Sequence, residues 1–432
     1  MTTLEVQDPL LGVSPEEEAR ILAQAGRNAS MREKFRLRKA EGDSASIEVP
    51  LADSHDFMPV SIDTPNQIPW LSSVSDSNAF LAYHTELAAF CRWVGLTPAE
   101  EYARREFFAR VRDAATSIFP GCYLVIFGSS FTGLALPSSD IDVALMNVDI
   151  CDDTRVKNSM TTGFALRSLA ELLLKQGDVS FVEVRDKARV PLLVLRDKYG
   201  ANTELDISLN VENPLGTSRF IKENGADKFP GFRPLTIFLK CFLFQRNLHD
   251  TYYGGVGSYL LSCLVIAFFQ QKNVSDNLSL GHLLFDFFTF YTKEFNSAHY
   301  GLSVRNSGEK FDKRDRYFES TGPRRTPVND SVCIESPLEP HLDIGNKCFQ
   351  WKIVKQAFIQ ARLEMIDTIA KWGSEKRTGS LLVPGLIESN HEMLKRFQGL
   401  KQPDGDSVYN TSSHKRSLSP EREPPSKRMR RD

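Results

Sequence analysis

The sequence predicts an α/β domain followed by a mainly helical domain, with charged segments at both ends. Between residues 122 and 211, short segments rich in Val, Ile and Leu alternate with one amphipathic helix. This pattern is typical of a mixed sheet covered by helices. Beyond Pro230 the apolar segments become longer and apolar residues recur every three or four positions, which predicts packed helices.

Hydrophobic periodicity predicts the individual elements in chain order. Helices over 78–94 and 98–119 introduce the sheet. Strands are predicted over 122–128, 140–146, 179–185, 190–198 and 203–211, with a helix over 162–175 between the second and third. The helices of the second domain are predicted over 233–247, 258–271, 278–295 and 349–372.

We therefore expect four regions. They are a charged, disordered N-terminal arm (1–65), an α/β domain (66–216), a helical domain (217–372), and a C-terminal helix with a disordered basic tail (373–432). The arm and the tail are predicted to be disordered because they are rich in charge and proline and poor in aromatic residues. An alternative is that the helices over 79–118 pack on the helical domain.

The composition limits the classes of protein that the chain can represent. Its 432 residues, 41% of them hydrophobic, can bury a large core. The net charge of −2 gives no overall basic character, so nucleic acid would have to be bound by local patches or through a partner. The seven cysteines show no C-x-x-C spacing, so we expect free thiols in a reducing compartment and no zinc knuckle. The longest apolar run, Tyr259 to Phe269, is too short to span a bilayer.

Three aspartates lie within predicted strands. Residues two apart in a strand share a face, so Asp140 and Asp142 point the same way. Asp206 alternates with apolar neighbours in "TELDISLNV" and can face the same side. Three carboxylates on adjacent strands repel one another unless a divalent cation neutralises them. Mg²⁺ prefers such oxygen ligands, so the pattern predicts a magnesium site.

The turn Gly128-Ser129-Ser130 follows the first predicted strand. Its backbone N–H groups and hydroxyls can hold a phosphate, and glycine permits close approach. A phosphate beside paired metal ions indicates phosphoryl transfer. Each feature alone has a structural alternative: a simple turn, a solvated strand end, or an ordinary alternating strand. Their order along the chain favours a catalytic site.

This order of motifs resembles a known superfamily. "FGSSFTGLALPSSDIDVAL" and "ELDISLN" resemble the Gly-Ser, Asp-x-Asp and third-aspartate motifs of DNA-polymerase-β-like nucleotidyltransferases. "LKCFLFQRNLHDTYYGGVGSYLLSCLVIAFFQ" and "VCIESPLEPHLDIGNKCFQWKIVKQAF" resemble the central domain and PAP-associated segment of nuclear poly(A) polymerases of the RNA-surveillance, TRAMP-complex type. The resemblance runs from about Pro69 to Lys371. It implies a nucleotidyltransferase catalytic domain followed by a helical central domain.

The resemblance also implies roles for particular residues. Asp140, Asp142 and Asp206 would bind two Mg²⁺ or Mn²⁺ ions, with Asp206 nearest the RNA 3′-hydroxyl. Gly128 and Ser129 would hold the terminal phosphates.

The resemblance implies four further contacts with the nucleotide. Asn213 would contact the sugar, Lys240 and Ser258 the triphosphate, and Tyr259 the base. Burying a lysine in an apolar helix without an anion is costly, which favours this role for Lys240. Extension of Lys240 to solvent, and ordinary core packing of Tyr259, are the structural alternatives.

The implied reaction is addition of AMP from ATP to RNA 3′ ends. In the loop where relatives commonly have Gly-Arg-Ser-Ser-Tyr, the sequence has no arginine over 345–349, and a lysine cannot copy the planar fork of arginine. Uridylyl-transferring relatives place a histidine at the position of Leu342, and here His341 lies one residue earlier. We expect ATP as the nucleotide. UTP, mixed nucleotides, a non-RNA acceptor, and an inactive scaffold for RNA-processing factors are the alternatives.

No RNA-recognition module is visible in the sequence. The resemblance implies that a zinc-knuckle RNA-binding protein and an RNA helicase, acting with the exosome, supply RNA binding. The segment 310–327 has six Lys/Arg against three Asp/Glu and is a candidate guide for RNA, with a solvated loop as the alternative. Two basic clusters, Lys415-Arg416 and 427–431, predict a nuclear or nucleolar location, with a solvated tail as the alternative.

Overall fold

A computed structural model describes residues 78–151, 160–188, 190–199, 203–272, 279–316, 330–372 and 379–387 except Pro384, with Ile68, Trp70, Phe318 and the backbone of 409–410. The chain divides into two units, residues 1–59 and 60–432, and all of the described residues belong to the second. The predicted N-terminal arm and the basic clusters of the tail lie outside the described residues. Among the helices that are described, none has the length and apolar character needed to cross a membrane.

The secondary structure follows the predicted order. The helices are α1 (Ala79–Val94), α2 (Pro98–Ile118), α3 (Gly128–Thr132), α4 (Thr162–Gln176), α5 (Asn213–Ile221), α6 (Phe232–Gln245), α7 (Ser258–Lys272), α8 (Leu280–Thr289) and α9 (Trp351–Ala370). The strands are β1 (Tyr123–Ile126), β2 (Ile141–Met146), β3 (Val179–Arg185), β4 (Leu192–Asp197), β5 (Glu204–Leu209), β6 (Tyr300–Ser303), β7 (Glu309–Asp312), β8 (Ile334–Glu335) and β9 (Tyr409–Asn410). Single π-helical turns, Lys222–Ala226 and Phe290–Glu294, extend α5 and α8.

The first sheet has the strand order β1-β2-β5-β4-β3-β9. Strand β2 runs parallel to β5, and β3 runs parallel to β9, while the other neighbours are antiparallel. Apolar residues of the strands pack against α2 and α4 in one core, which includes Val143, Ile207 and Leu169. The predicted mixed α/β domain is therefore confirmed.

A second core is built from helices. It joins α1 with α6, α7, α8 and α9 and is rich in phenylalanine. The rings of Phe242, Phe287 and Phe288 all lie within 6.0 Å of the ring of Phe358, measured between centroids. Helix α1 packs on α6 and α8, whereas α2 packs on α4 and β1. The two helices that precede the sheet therefore belong to different cores.

A small sheet with the order β7-β6-β8 interrupts the helical region and was not predicted. Two cations of the segment 310–327, the candidate guide for RNA, form contacts within and beside this sheet. The Lys313 ammonium is buried and donates to the carbonyl oxygens of Ser297 and Ser331, at 2.5 Å each. Arg316 lies 2.7 Å from the Glu335 carboxylate. In the described part of this segment, Lys313 and Arg316 make contacts within the fold, and the RNA guide stays a prediction.

Residues 379–387 pack against the helical core. Leu381, Leu382 and Ile387 are buried in it. The carboxylate of Glu86, on α1, accepts hydrogen bonds from the backbone N–H of Leu381 (2.6 Å), the Ser380 hydroxyl and the Trp70 indole (3.2 Å). A buried carboxylate thus joins three parts of the chain that are distant in sequence.

We expect Glu86→Gln to lower the free energy of unfolding by about 2 kcal/mol, because an amide keeps one acceptor oxygen and turns donors toward groups that also donate. Urea denaturation followed by circular dichroism measures the change. Glu106→Gln, at an exposed position of α2, is the matched control and should change little. Equal stability of the two variants would contradict the role of Glu86.

Candidate active site

Asp142 and Asp206 lie directly opposite each other on the parallel strands β2 and β5. The alternation within each strand buries Ile141, Val143 and Ile207 in the sheet core and leaves the two aspartates half-buried on the other face. Asp140 lies one residue before β2 and is exposed. The predicted strand over 140–146 therefore begins one residue later, and Asp140 belongs to the loop that enters it.

Burial and neighbouring negative charge raise the pKa of two of the aspartates. Burial raises the pKa of Asp142 to about 7, with further contributions from the negative charges of Asp140 and Asp206, against the lowering effect of Lys240 and Arg104. Burial and the charge of Asp140 raise the pKa of Asp206 to about 6. Without a cation, this face of the sheet therefore holds protons near neutral pH.

Glycine is required where β1 leads into α3. Gly128 has a φ of +64°, and a Cβ built there would lie 2.0 Å from Oδ2 of Asp142. Its N–H donates to the hydroxyl of Ser218 on α5, at 2.8 Å. Ser129, the next residue, is half-buried in α3. The structure thus brings the Gly-Ser turn against the Asp-x-Asp strand, as the sequence predicts.

Arg104, on α2, belongs to the site and was missed in the sequence. Its guanidinium donates to the carbonyl oxygens of Ser139 (2.7 Å) and Asp140 (3.0 Å) and to the hydroxyl of Ser130 (3.2 Å). A signal was present, because Arg104 falls in the apolar series of α2 three residues before Phe107. A charged residue in such a series indicates a specific buried partner.

Lys240 points toward the same region from α6. Its ammonium donates to the carbonyl oxygen of Leu134, in the loop between α3 and β2, at 3.0 Å. Burial lowers the pKa of Lys240, while the charges of Asp140 and Asp142 act in the opposite direction. This position is inconsistent with the alternative in which Lys240 extends away to solvent.

The three remaining residues lie at helix starts. Asn213 and Ser258 are exposed first residues of α5 and α7. Tyr259 is half-buried against the helical core, and burial raises the pKa of its phenol, so it stays protonated. In the part of the chain that the structure describes, no hydrogen bond or ion pair joins these residues to the aspartates. Their assignment stays a prediction.

The three aspartates fit a divalent cation by their chemistry. They supply only oxygen ligands, and burial together with neighbouring negative charge leaves Asp142 and Asp206 with raised pKa values that a cation would lower. Among the described residues, no three His, Cys, Asp or Glu side chains already form a closed metal-binding cluster.

Two family models match the chain. One, described as "Poly(A) RNA polymerase, mitochondrial-like, central palm domain", matches residues 84–221. The other, described as "Cid1 family poly A polymerase", matches residues 279–342. The first range contains the aspartates and the Gly-Ser turn, and the second contains the small sheet.

Curated relatives match over a longer range. The chain is 30% identical over 327 residues to the inactive non-canonical poly(A) RNA polymerase protein Trf4-2 of Drosophila melanogaster, covering 74% of this chain and 76% of that protein. It is 28% identical over 328 residues to poly(A) RNA polymerase protein 1 of Eremothecium gossypii, covering 74% of this chain and 50% of that protein. With poly(A) RNA polymerase cid14 of Schizosaccharomyces pombe, the chain is 30% identical and spans 37% of the relative's length.

Solved structures agree with these matches. The polymerase core of TRAMP, an RNA surveillance complex, superposes with a TM-score of 0.59 at 25% identity, covering 72% of this chain and 95% of that chain. A Cid1 poly(U) polymerase structure superposes with a TM-score of 0.55 at 18% identity, covering 71% and 99%, and shows the same fold. The predicted nucleotidyltransferase fold is thereby confirmed. The chain belongs to the non-canonical poly(A) RNA polymerases of the TRAMP type, within the nucleotidyltransferase superfamily.

Proposed function

We propose that the chain adds AMP from ATP to RNA 3′ ends without a template. The observation that carries this proposal is the register of Asp142 opposite Asp206, with Asp140 beside them and Gly128 packed on Asp142. The same feature supports an enzyme over an inactive scaffold, although one relative carries the name of an inactive polymerase. The names of several relatives, among them cid14 of Schizosaccharomyces pombe, support poly(A) synthesis.

Asp140, Asp142 and Asp206 would hold two Mg²⁺ or Mn²⁺ ions. Bound there, the ions would neutralise the triphosphate and favour ionisation of the attacking hydroxyl. Asp206 would lie nearest the RNA 3′-hydroxyl and accept its proton at a carboxylate oxygen. The reaction forms a bond from the 3′-oxygen to the α-phosphorus of ATP and releases pyrophosphate.

The other predicted residues would bind the nucleotide. Gly128 and Ser129 hold terminal phosphates, and Lys240 and Ser258 neutralise and orient the triphosphate. With a phosphate present, the Lys240 ammonium gains a charged acceptor near the carbonyl that it now contacts.

Two further residues would bind the nucleoside. Asn213 reads the ribose hydroxyl, and Tyr259 stacks on the base.

The loop after β8 bears on the choice of nucleotide. The buried carboxylate of Asp343 accepts hydrogen bonds from the N–H groups of Gly345 (2.8 Å) and Ile334 (3.1 Å), so the loop is anchored while Lys347 is exposed. His341 is exposed and Leu342 half-buried. We propose ATP as the nucleotide, with UTP or mixed nucleotides as the alternative that the assay below separates.

The direct test supplies purified protein with a labelled RNA primer, Mg²⁺ or Mn²⁺, and each nucleotide separately. We expect a product ladder with ATP, and a loss on the order of 10³-fold or more for Asp140→Ala/Asp142→Ala, because the site then lacks its cation ligands. Asp113→Ala, at an exposed carboxylate on α2, should extend like wild type. A ladder with UTP alone would replace ATP, and undiminished extension by the double variant would remove the aspartates from the mechanism.

The raised pKa of Asp142 predicts a pH dependence of stability. Its pKa is about 7 in the folded chain against an ordinary value of about 3.8, so the folded state gains stability from the proton below about pH 4. It loses this stability as the pH rises through about 7.

Without added metal, Asp142→Asn should therefore be more stable than wild type at pH 7.5, by on the order of 1–2 kcal/mol after solvent screening, and this gap should close at pH 4.5. Mg²⁺ should raise the melting temperature of wild type at pH 7.5 and leave the variant nearly unchanged. Melting curves with EDTA or Mg²⁺ measure both effects. A gap that does not change with pH would contradict the proposed repulsion.

Lys240→Met keeps the apolar stem and removes the charge. We expect the KM for ATP to rise about 10-fold with a smaller fall in kcat, because the contact stabilises ground and transition states alike. Lys293→Met, at an exposed position, is the matched control. An unchanged KM in Lys240→Met would assign Lys240 a structural role at Leu134 only.

We propose that RNA binding depends on partners: a zinc-knuckle RNA-binding protein and an RNA helicase that act with the exosome in nuclear RNA surveillance. Support comes from the likeness to the TRAMP polymerase core and the net charge of −2.

We also propose a nuclear or nucleolar location, directed by the basic clusters after residue 414. A fluorescent fusion that remains in the nucleus after both clusters are changed to alanine would contradict this location.

A further inference from the structure

Two loops meet at the candidate active site. The phosphate loop, residues 128–130, follows β1, and the carboxylate loop, residues 139–140, leads into β2. The loops are ten residues apart in sequence, and β1 and β2 are antiparallel neighbours. Within the site, Arg104 is a side chain that forms hydrogen bonds to both loops. It bonds Ser130 in the first loop, and Ser139 and Asp140 in the second.

The burial of Arg104 has a cost that packing alone does not explain. The residue is 7% exposed, and burial lowers the pKa of its guanidinium against the opposing effect of Asp140. An apolar side chain would fit the series with Phe107 and Val111 at lower desolvation cost. An apolar side chain cannot supply a planar set of hydrogen-bond donors directed at three oxygens.

The three acceptor oxygens explain why an arginine occupies this position. The carbonyl oxygens of Ser139 and Asp140 precede β2 and lie outside its ladder. Arg104 satisfies them and thereby holds the main chain of Asp140, the one aspartate of the three that is not in a strand. Through the Ser130 hydroxyl, the same guanidinium holds α3.

We infer that Arg104 is a positioning residue that sets the distance between the cation-binding aspartates and the phosphate-binding turn. The inference rests on the proposed function, since that function assigns these roles to the two loops. Arg104 acts through Asp140 and Ser130 and need not contact the substrate. Loss of its fork should weaken cation binding and slow catalysis while the distant helical core stays intact.

Arg104→Lys is the main variant, because it keeps the charge and removes the planar fork. Arg105→Lys is the matched control, since Arg105 is the next residue on α2 and is exposed in a pair with Glu101. The first readout is binding of Mn²⁺ with a non-hydrolysable ATP analogue, followed by the loss of the free Mn²⁺ signal in electron paramagnetic resonance. We expect binding of Mn²⁺ to weaken about 10-fold in Arg104→Lys and to be unchanged in Arg105→Lys.

The second readout is kinetic. With saturating ATP and Mn²⁺, kcat of Arg104→Lys should stay about 10-fold or more below wild type, because the geometry of Asp140 is not restored by metal. A merely structural role would lower the melting temperature and leave kcat per folded molecule unchanged. Wild-type Mn²⁺ binding and wild-type kcat in Arg104→Lys would overturn the inference.

A double-mutant cycle tests the bridge between the loops. Ser130→Ala removes the acceptor of Arg104 in the phosphate loop, together with the longer hydrogen bond that the hydroxyl donates to the Asp140 carbonyl oxygen (3.4 Å). Its effect on Mn²⁺ binding should still be smaller in the Arg104→Lys background than alone. Strictly additive effects would overturn the bridging role. If wild type binds Mn²⁺ but adds no nucleotide to RNA, the proposed function fails, and the Mn²⁺ measurements still decide the role of Arg104.

Discussion

Repulsion between carboxylates is the constraint on which the site depends. The parallel register of β2 and β5 places Asp142 directly opposite Asp206, and the alternation of each strand commits its apolar residues to the sheet core. A shift of one residue would bury the aspartates and expose the core. The hydrophobic core therefore holds two carboxyl groups side by side, where burial and neighbouring negative charge oppose their ionisation until a cation binds.

The neighbours of the aspartates are consistent with this constraint. Gly128 leaves the space that the carboxylate of Asp142 occupies, and the hydroxyl of Ser218 holds the backbone of Gly128 in its left-handed conformation. Arg104 and Lys240 lower the pKa of Asp142 but do not return it to its ordinary value. Two cations thus moderate the repulsion without removing it, which leaves a site that still favours a divalent ion.

Much of this arrangement could be predicted from the sequence, because a period of two along a strand states which residues share a face. That rule was sufficient for Asp142 and Asp206. It was not sufficient for Arg104 or Ser218, because their partners are backbone atoms of loops distant in sequence, and no periodicity records such contacts. The small sheet was missed for a related reason: its strands have two to four residues, too few for a pattern.

The burial of residues 379–387 could not be predicted either, since their acceptor is Glu86, almost 300 residues earlier. A carboxylate on an amphipathic helix normally indicates a solvated face. Here the burial of Glu86 depends on Trp70 and on the backbone of Leu381. Sequence patterns predict secondary structure well. They do not predict where one carboxylate accepts hydrogen bonds from several segments that are distant in sequence.

The sheet core and the helical core meet at the site. A Cβ on Gly133, which follows α3, would lie 3.2 Å from the guanidinium carbon of Arg233 on α6, and one on Gly216 would lie 2.8 Å from Leu338. The backbone at Gly133 thus lies close to a side chain of α6, and the backbone of α5 lies close to Leu338, which follows β8. The sheet supplies the carboxylates, and α6 supplies Lys240 through the same boundary. Because the candidate ligands come from both cores, the geometry of the site depends on the packing between them as well as on the sheet.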